Sequence, residues 1–458
     1  MEIQSKLLPE TSSLASCTTP DLSLSISELA QRILETNADV MSRQATINIG
    51  VIGHVAHGKT TLVKAMTGVK TVKFKQECVR NITMKLGYAN AKIFKCTGKC
   101  KNADAYASYG SEMMDDPLCE KCNSKMQLER HVSFVDCPGH NVLMTTMLNG
   151  TAVMDAAILV VSCDSKCPQP QTVEHLMAVE MMRLKHIIIV QNKIDLAKEE
   201  TIRKHYQEIK SFVQGTRATH SPIIPAVAQS KANIDAILEA ICKIPIPERD
   251  LVSPPKVMIL RSFDVNKPGT SYRALTGGVA GGSIISGTLT IGQEVELRPG
   301  ISMKDEETGK QIYVPIKSHV TSLYAEKNQL SYAIPGGLIG IGLSIDPSLT
   351  HGDRLIGKLL GVSDSMPSVM NEIEVKYHHM PLLAKTDQVK TGEHLQITLG
   401  SMTTEAVITN QDSLLMRLSL LQPVCCLLGD KCVVSRKIQQ SWRLIGWGTV
   451  VNGIIVSA

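Results

Sequence analysis

The chain has 458 residues, 43% hydrophobic and 20% charged; at roughly 150 residues per domain this predicts two to four domains with full cores and excludes a disordered or fibrous chain. The 48 basic and 43 acidic side chains leave a net charge of +5, too small an excess to define a polyanion-binding protein by itself. Thirteen cysteines in a chain whose start, MEIQSKLLPETSSLASCTTPDLS, has neither a basic region nor an apolar core predict free or metal-bound thiols in the cytoplasm rather than a disulfide framework.

Residues 1–42 are rich in Ser, Thr and Leu and read as a flexible N-terminal tail with one short periodic piece, Ile26 to Leu34. The first firm element is the β-branched run Thr46 to Ile52. Strand-like runs at Val132 to Val135, Ala157 to Val161, Ile187 to Val190 and Ile223 to Ile224 alternate with helix-length segments Gln171 to Met182 and Lys198 to Val213. That rhythm predicts an α/β domain over 43–250 with a doubly wound, mostly parallel sheet. The longest apolar runs are strand-length, so no membrane span is expected. After Ile244-Pro245-Ile246-Pro247 and Pro254-Pro255, short apolar runs separated by Gly and Pro turns predict two all-β barrels, 256–360 and 366–458.

Chemistry concentrates in the first domain. Gly53-His54-Val55-Ala56-His57-Gly58-Lys59-Thr60 fits G-x-x-x-x-G-K-[ST] between a strand and the helix-capable stretch Thr61 to Met66. In such a loop, glycines let backbone N–H groups wrap phosphates, the lysine balances β/γ charge and the following hydroxyl binds Mg²⁺. Asp136-Cys137-Pro138-Gly139-His140 follows a strand, which puts a carboxylate where open α/β sheets bind ligands. Asp136 reads as a carboxylate of the Mg²⁺ shell, Gly139 as an N–H donor to a γ-phosphate and His140 as the group that orients an attacking water. Asn192-Lys193-Ile194-Asp195 follows the strand ending at Val190; its terminal carboxylate matches the N1–H and exocyclic amine of guanine, a donor pair that adenine lacks. Between these motifs, Arg80-Asn81-Ile82-Thr83-Met84 reads as a mobile loop whose Thr83 supplies a second Mg²⁺ hydroxyl. In this order the motifs define a P-loop GTPase that uses GTP/GDP and Mg²⁺.

The spacing from Thr83 to Asp136 exceeds what a compact GTPase requires. The surplus at 95–125 carries Cys96-x₃-Cys100 and, 18 residues on, Cys119-x₂-Cys122. Two short-spaced thiolate pairs can meet at one tetrahedral ion, so this insertion reads as a Cys₄ ribbon for Zn²⁺, with stray cysteines in a Cys-rich chain as the alternative.

The phrases SRQATINIGVIGHVAHGKTT, RNITMKLGYANAKIFKC, RHVSFVDCPGH, CPQPQT, QNKID, RSFDVNKPG, GGVAGGSI and WRLIGWG are together similar to the gamma-subunit family of eukaryotic translation initiation factor 2, from about Ser42 to the C-terminus. The resemblance implies a GTPase domain followed by two β-barrels, in the GTP-binding core of a heterotrimer that delivers initiator methionyl-tRNA to the small ribosomal subunit. It implies alpha and beta subunits, docked on the middle barrel and the GTPase domain, together with GTPase-activating and nucleotide-exchange factors. It carries the nucleotide motifs onto Ala56, His57, Gly58, Lys59, Thr60 and Thr61, onto Asn192 to Asp195, and onto Val227-Ala228-Gln229, where the Ala228 N–H would meet a guanine oxygen. Elongation-factor GTPases share the GTP motifs but usually have Asp where Ala56 stands, and hydrolysis in the resembled family is slow without its activator.

The chain also departs from that pattern. Val227 replaces a serine, Asn141 an aspartate, and Tyr377-His378-His379-Met380-Pro381-Leu382-Leu383 a basic, leucine-rich run with paired arginines. Ser435 to Ser441 carries fewer charges than expected before Trp442. A GTP-binding scaffold with weakened tRNA binding, or another elongation-factor-type GTPase, are the alternative functions.

Overall fold

The computed structural model describes residues 37–71, 85–113, 116–140, 144–267, 269–271, 275–304, 311–380, 389–412, 414–438 and 441–456. The Ile26 to Leu34 segment, Arg80 to Met84 with Thr83, Asn141, and Pro381 to Leu383 lie outside them.

Strand β1 (Ile47–Ile52) is buried at every position, as a β-branched run must be when helices cover both faces of a parallel sheet. Around it lie β2 (Gly87–Cys96), β3 (Tyr106–Gly110), β4 (Met126–Asp136), β5 (Ala156–Ser162), β6 (His186–Asn192) and β7 (Ile223–Ala226), in the order β3-β2-β4-β1-β5-β6-β7. The run from β4 to β7 is parallel. Strands β2 and β3 are antiparallel additions at one edge, which the βαβ rhythm did not predict. The chain leaves the sheet along β2, turns through the cysteine insertion and returns along β4, and an antiparallel return needs no crossover helix.

The helices are α1 (Asn37–Arg43), α2 (Lys59–Thr67), α3 (Met144–Thr151), α4 (Pro170–Met181), α5 (Glu199–Val213) and α6 (Ile234–Cys242). Helix α1 falls inside the segment read as a tail and corrects that reading at its C-terminal end. Val40 is buried with Leu251 and Ile334, and the carbonyl of Met41 faces His131 Nδ1 at 2.9 Å, so tertiary contacts order a stretch with little helical pattern of its own. One sheet face packs against α2 and α6 through Leu62, Val63, Met66, Ile237 and Ile241. The other packs against α3, α4 and α5 through Met147, Leu176, Val179 and Ile209, in a core that runs on into Val433 and Leu444 near the C-terminus.

Two barrels follow. The first closes β8 (Lys256–Phe263), β9 (Val279–Ser286), β10 (Glu294–Lys304), β11 (Gln311–Ala325), β12 (Leu338–Leu343) and β13 (Leu359–Gly361) in the order β10-β13-β8-β9-β12-β11, with β10 pairing β11. The second closes β14 (Val369–His379), β15 (His394–Leu399), β16 (Met402–Gln411), β17 (Leu415–Cys425), β18 (Lys431–Ile438) and β19 (Ser441–Ile455) in the order β14-β17-β16-β15-β18-β19. Gln44 clips the first barrel to the sheet domain by exchanging hydrogen bonds with Ile334, its Nε2 donating to the carbonyl (2.6 Å) and its Oε1 accepting the N–H (3.2 Å). The second barrel rests on α3 and α4: Thr145 Oγ1 donates to Gln396 Oε1 (2.7 Å), Thr403 Oγ1 to Asn149 Oδ1 (3.2 Å), and Arg443 pairs with Glu174.

Candidate functional site

At the C-terminal end of β1 the backbone passes through three left-sided conformations, Gly53 (φ 135°), Ala56 (φ 62°) and Gly58 (φ 94°), before α2 begins. A Cβ on Gly58 would lie 2.3 Å from Asn192 Nδ2, so this position needs glycine for both backbone and space. Lys59 folds back over the loop and donates from Nζ to the carbonyls of Gly53 (2.9 Å) and His54 (2.7 Å). Burial pulls its ammonium down to about 8 while Asp136 draws it up, so it remains mostly charged at neutral pH.

Asp136 ends β4 fully buried. Its Oδ2 accepts from Thr60 Oγ1 and from Thr71 Oγ1, each at 2.7 Å. The loop that follows presses against the lysine: a Cβ on Gly139 would sit 2.4 Å from Lys59 Nζ and 2.8 Å from Val55 N. His140 comes next and is exposed. A hydroxyl, a carboxylate and a buried ammonium thus converge on a backbone cradle that admits no side chain, a donor set suited to a phosphate chain and a hard cation such as Mg²⁺.

The residues whose motif suggests base recognition meet on the other side of the loop. Asn192 Nδ2 donates to the His57 carbonyl at 2.9 Å, and its Oδ1 accepts the Ala228 N–H at 3.0 Å, so one amide ties three distant loops together. The Ala228 N–H, expected to face a guanine oxygen, is thereby engaged by Asn192. Gly58, Thr61, Asn192, Lys193, Asp195, Val227, Ala228 and Gln229 line a cavity of about 260 Å³. Lys193, at φ 60°, donates to Asp164 Oδ2 at 2.9 Å, and Asp195 is exposed at the rim. The His57 side chain points away from this cavity, its ring nitrogens facing the Val160 carbonyl and Ser165 Oγ, each at 3.2 Å. Burial drops its imidazole to about 4, so the ring stays neutral.

Two further residues hold the loop, Gln171, which lies in the CPQPQT phrase, and His175, which lies in none. The Gly53 N–H donates to Nδ1 of His175 at 2.9 Å, and the Val55 N–H to Oε1 of Gln171 at 3.4 Å, both on α4. Burial lowers His175 to about 3, so the ring stays neutral and Nδ1 can accept while Nε2 carries the proton. Pro170 at the start of α4 marks the helix in the sequence, but no residue pattern marks these two contacts.

The Cys96, Cys100, Cys119 and Cys122 sulfurs all lie within 4.8 Å of one another, with Cys96 and Cys122 at 3.3 Å and Cys100 and Cys119 at 3.7 Å. Four thiolates around zinc at about 2.3 Å stand roughly 3.8 Å apart, so the cluster is sized for that ion. Phe94, Ala105 and Met126 pack beneath it as a small core of its own.

Comparison with known proteins matches the elongation factor Tu GTP-binding domain to residues 44–246, elongation factor Tu domain 2 to residues 277–355, and the C-terminal domain of initiation factor eIF2 gamma to residues 371–450. The eukaryotic translation initiation factor 2 subunit gamma of Schizosaccharomyces pombe is 51% identical over 442 residues, 94% of this chain and 98% of that protein. The chain belongs to the eIF2 gamma family. Subunit 3 of the same factor in Drosophila melanogaster is 50% identical over 437 residues, 92% of either chain. Among solved structures, a bacterial selenocysteine-specific elongation factor shares the fold with a TM-score of 0.67 at 22% identity, covering 89% of this chain and 58% of that one. Elongation factor SelB of Methanococcus maripaludis with a GTP analogue does so with 0.66 at 20%, covering 90% and 80%. As an eIF2 gamma family member the chain is a GTPase and a GTP-binding subunit of a translation initiation factor. Its Cys₄ cluster can hold zinc, and among the described residues no helix is long and apolar enough to cross a membrane.

Proposed function

We propose that this chain is the nucleotide-binding core of a heterotrimer, with alpha and beta subunits, that delivers initiator methionyl-tRNA to the small ribosomal subunit in the cytoplasm, GTP hydrolysis acting as the release switch. The observation that carries this reading is the match to eIF2 gamma in the last barrel, residues 371–450, where an elongation factor would differ. Lys59 and the loop N–H groups hold the phosphates; Thr60, Thr83 and, through water, Asp136 would hold Mg²⁺, which would supply charge neutralisation on the phosphates. Gly139 offers its N–H to the γ-phosphate, and His140 orients the water that attacks phosphorus as the bond to the β-phosphate oxygen breaks. Asp195 and Asn192 select guanine. Ala56 puts no polar group at the loop's crown, in keeping with slow hydrolysis until an activating protein completes the site, and an exchange factor then removes GDP.

The test is initiator methionyl-tRNA binding by the reconstituted three-subunit complex with GTP against GDP at fixed salt, since electrostatic affinity depends steeply on ionic strength. Tighter binding with GTP supports the reading, and equal binding with both nucleotides removes the switch. A second reading, a GTP-binding scaffold with weakened tRNA binding, is favoured by the altered Tyr377 to Leu383 run; activator-dependent phosphate release that His140→Ala abolishes counts against it. For the cysteine cluster, metal analysis should give about one zinc per chain, lost in Cys119→Ser.

A further inference from the structure

Helix α4 touches two things at once. On one face Gln171 and His175, one turn apart, accept the N–H groups of Val55 and Gly53 in the phosphate loop. Beside His175, Glu174 pairs with Arg443 of the second barrel. The Glu174 residue is only 7% exposed, and among the described residues its Oε2 is buried with no hydrogen-bond partner. Arg443 is therefore its charge compensation, supplied from another domain across 269 positions of sequence.

Breaking a buried ion pair from one side is costly because it strands the remaining charge. A carboxylate stranded at Glu174, which burial already pushes up in pKa, must take up a proton or recover solvation by a shift of α4 or a lift of the barrel, and either movement disturbs the acceptor that fixes Gly53. The Cβ approaches around the loop leave little slack: a side chain on Gly53 would reach the Val160 carbonyl at 2.3 Å.

We propose that His175 and Gln171 are positioning residues for the phosphate loop and that Arg443 of the last barrel sets the loop's grip on nucleotide through Glu174, so that barrel docking and nucleotide release are coupled along α4. The proposal rests on the loop being the nucleotide site, which GDP binding by the unmodified chain checks separately.

The experiment is displacement of a fluorescent GDP from the full-length chain, read as a dissociation rate. Arg443→Ala should speed release about tenfold, inside the roughly 5- to 150-fold span of coupling between sites. Adding Glu174→Gln to that variant removes the stranded charge and should restore the rate to within about twofold of the parent. His175→Leu should speed release as Arg443→Ala does, while His175→Asn, which keeps an acceptor, should return most of the loss. Arg443→Gln fills similar space and replaces the alanine variant, with the same expectations, if the latter does not fold. A rate unchanged by either Arg443 substitution overturns the proposal, and so does an accelerated rate that Glu174→Gln fails to restore.

Discussion

The nucleotide end of the sheet and the outer surface of the last barrel are built on opposite plans. At the nucleotide end, polar groups are buried and mutually fixed: Lys59 on two loop carbonyls, Asp136 on two hydroxyls, Asn192 between two loops. On the last barrel the core is aliphatic and closed, but the surface shows Leu421 at 72%, Leu428 at 61% and Ile455 at 60% exposure. The nucleotide end tolerates almost no change, because each group satisfies a buried partner and its loss leaves that partner unpaired. The barrel surface can be rewritten while the fold persists, since apolar surface residues cost little individually. The departures from the family pattern fall on both regions: the Tyr377 to Leu383 run and the Ser435 to Ser441 segment belong to the barrel, while Val227 lines the cavity beside Asn192 and Asn141 follows His140; the phosphate-loop, Asp136 and Asn192 motifs match.

Substitutions can break or sharpen that contrast. Lys59→Ala should have the largest effect, costing about 2–5 kcal/mol of GTP affinity by titration calorimetry, since a buried charge partner of the phosphates is lost. Asn192→Ala strands the His57 carbonyl and the Ala228 N–H; at about 1–3 kcal/mol for each unsatisfied group, both melting temperature and GDP affinity should fall. Val227→Ser should move the other way, tightening GDP by about 0.5–1.5 kcal/mol if the new hydroxyl makes one hydrogen bond in the base loop. Leu421→Ser, by contrast, should leave stability within about 0.5 kcal/mol and nucleotide affinity unchanged. A large loss there would erase the distinction between the two regions.

Much of the site was legible because phosphate and guanine chemistry demand particular residues at particular spacings: Gly58, Lys59, Asp136 and Asn192 stand where their motifs placed them. Strands β1 and β4 to β7 were legible as apolar runs. Strand β2 was not, because it is buried on both faces yet carries Asn90 and Lys92 inside, so neither alternation nor a continuous apolar run marks it. His175 and Gln171 act only through where α4 packs, a tertiary fact that no local pattern encodes. The Ala228 N–H meets Asn192 Oδ1, a partner set by the rotamer of a residue far away in sequence.

The central claim is that this chain by itself reads guanine through Asp195 at the rim of the cavity beside Asn192. The most direct measurement is equilibrium binding of GDP and xanthosine diphosphate to the parent chain and to Asp195→Asn. The amide can donate to the xanthine C2 carbonyl but cannot accept from both guanine donors. The expected result is a reversal, with the parent preferring GDP and the variant preferring xanthosine diphosphate; GDP affinity unchanged in Asp195→Asn would contradict the assignment.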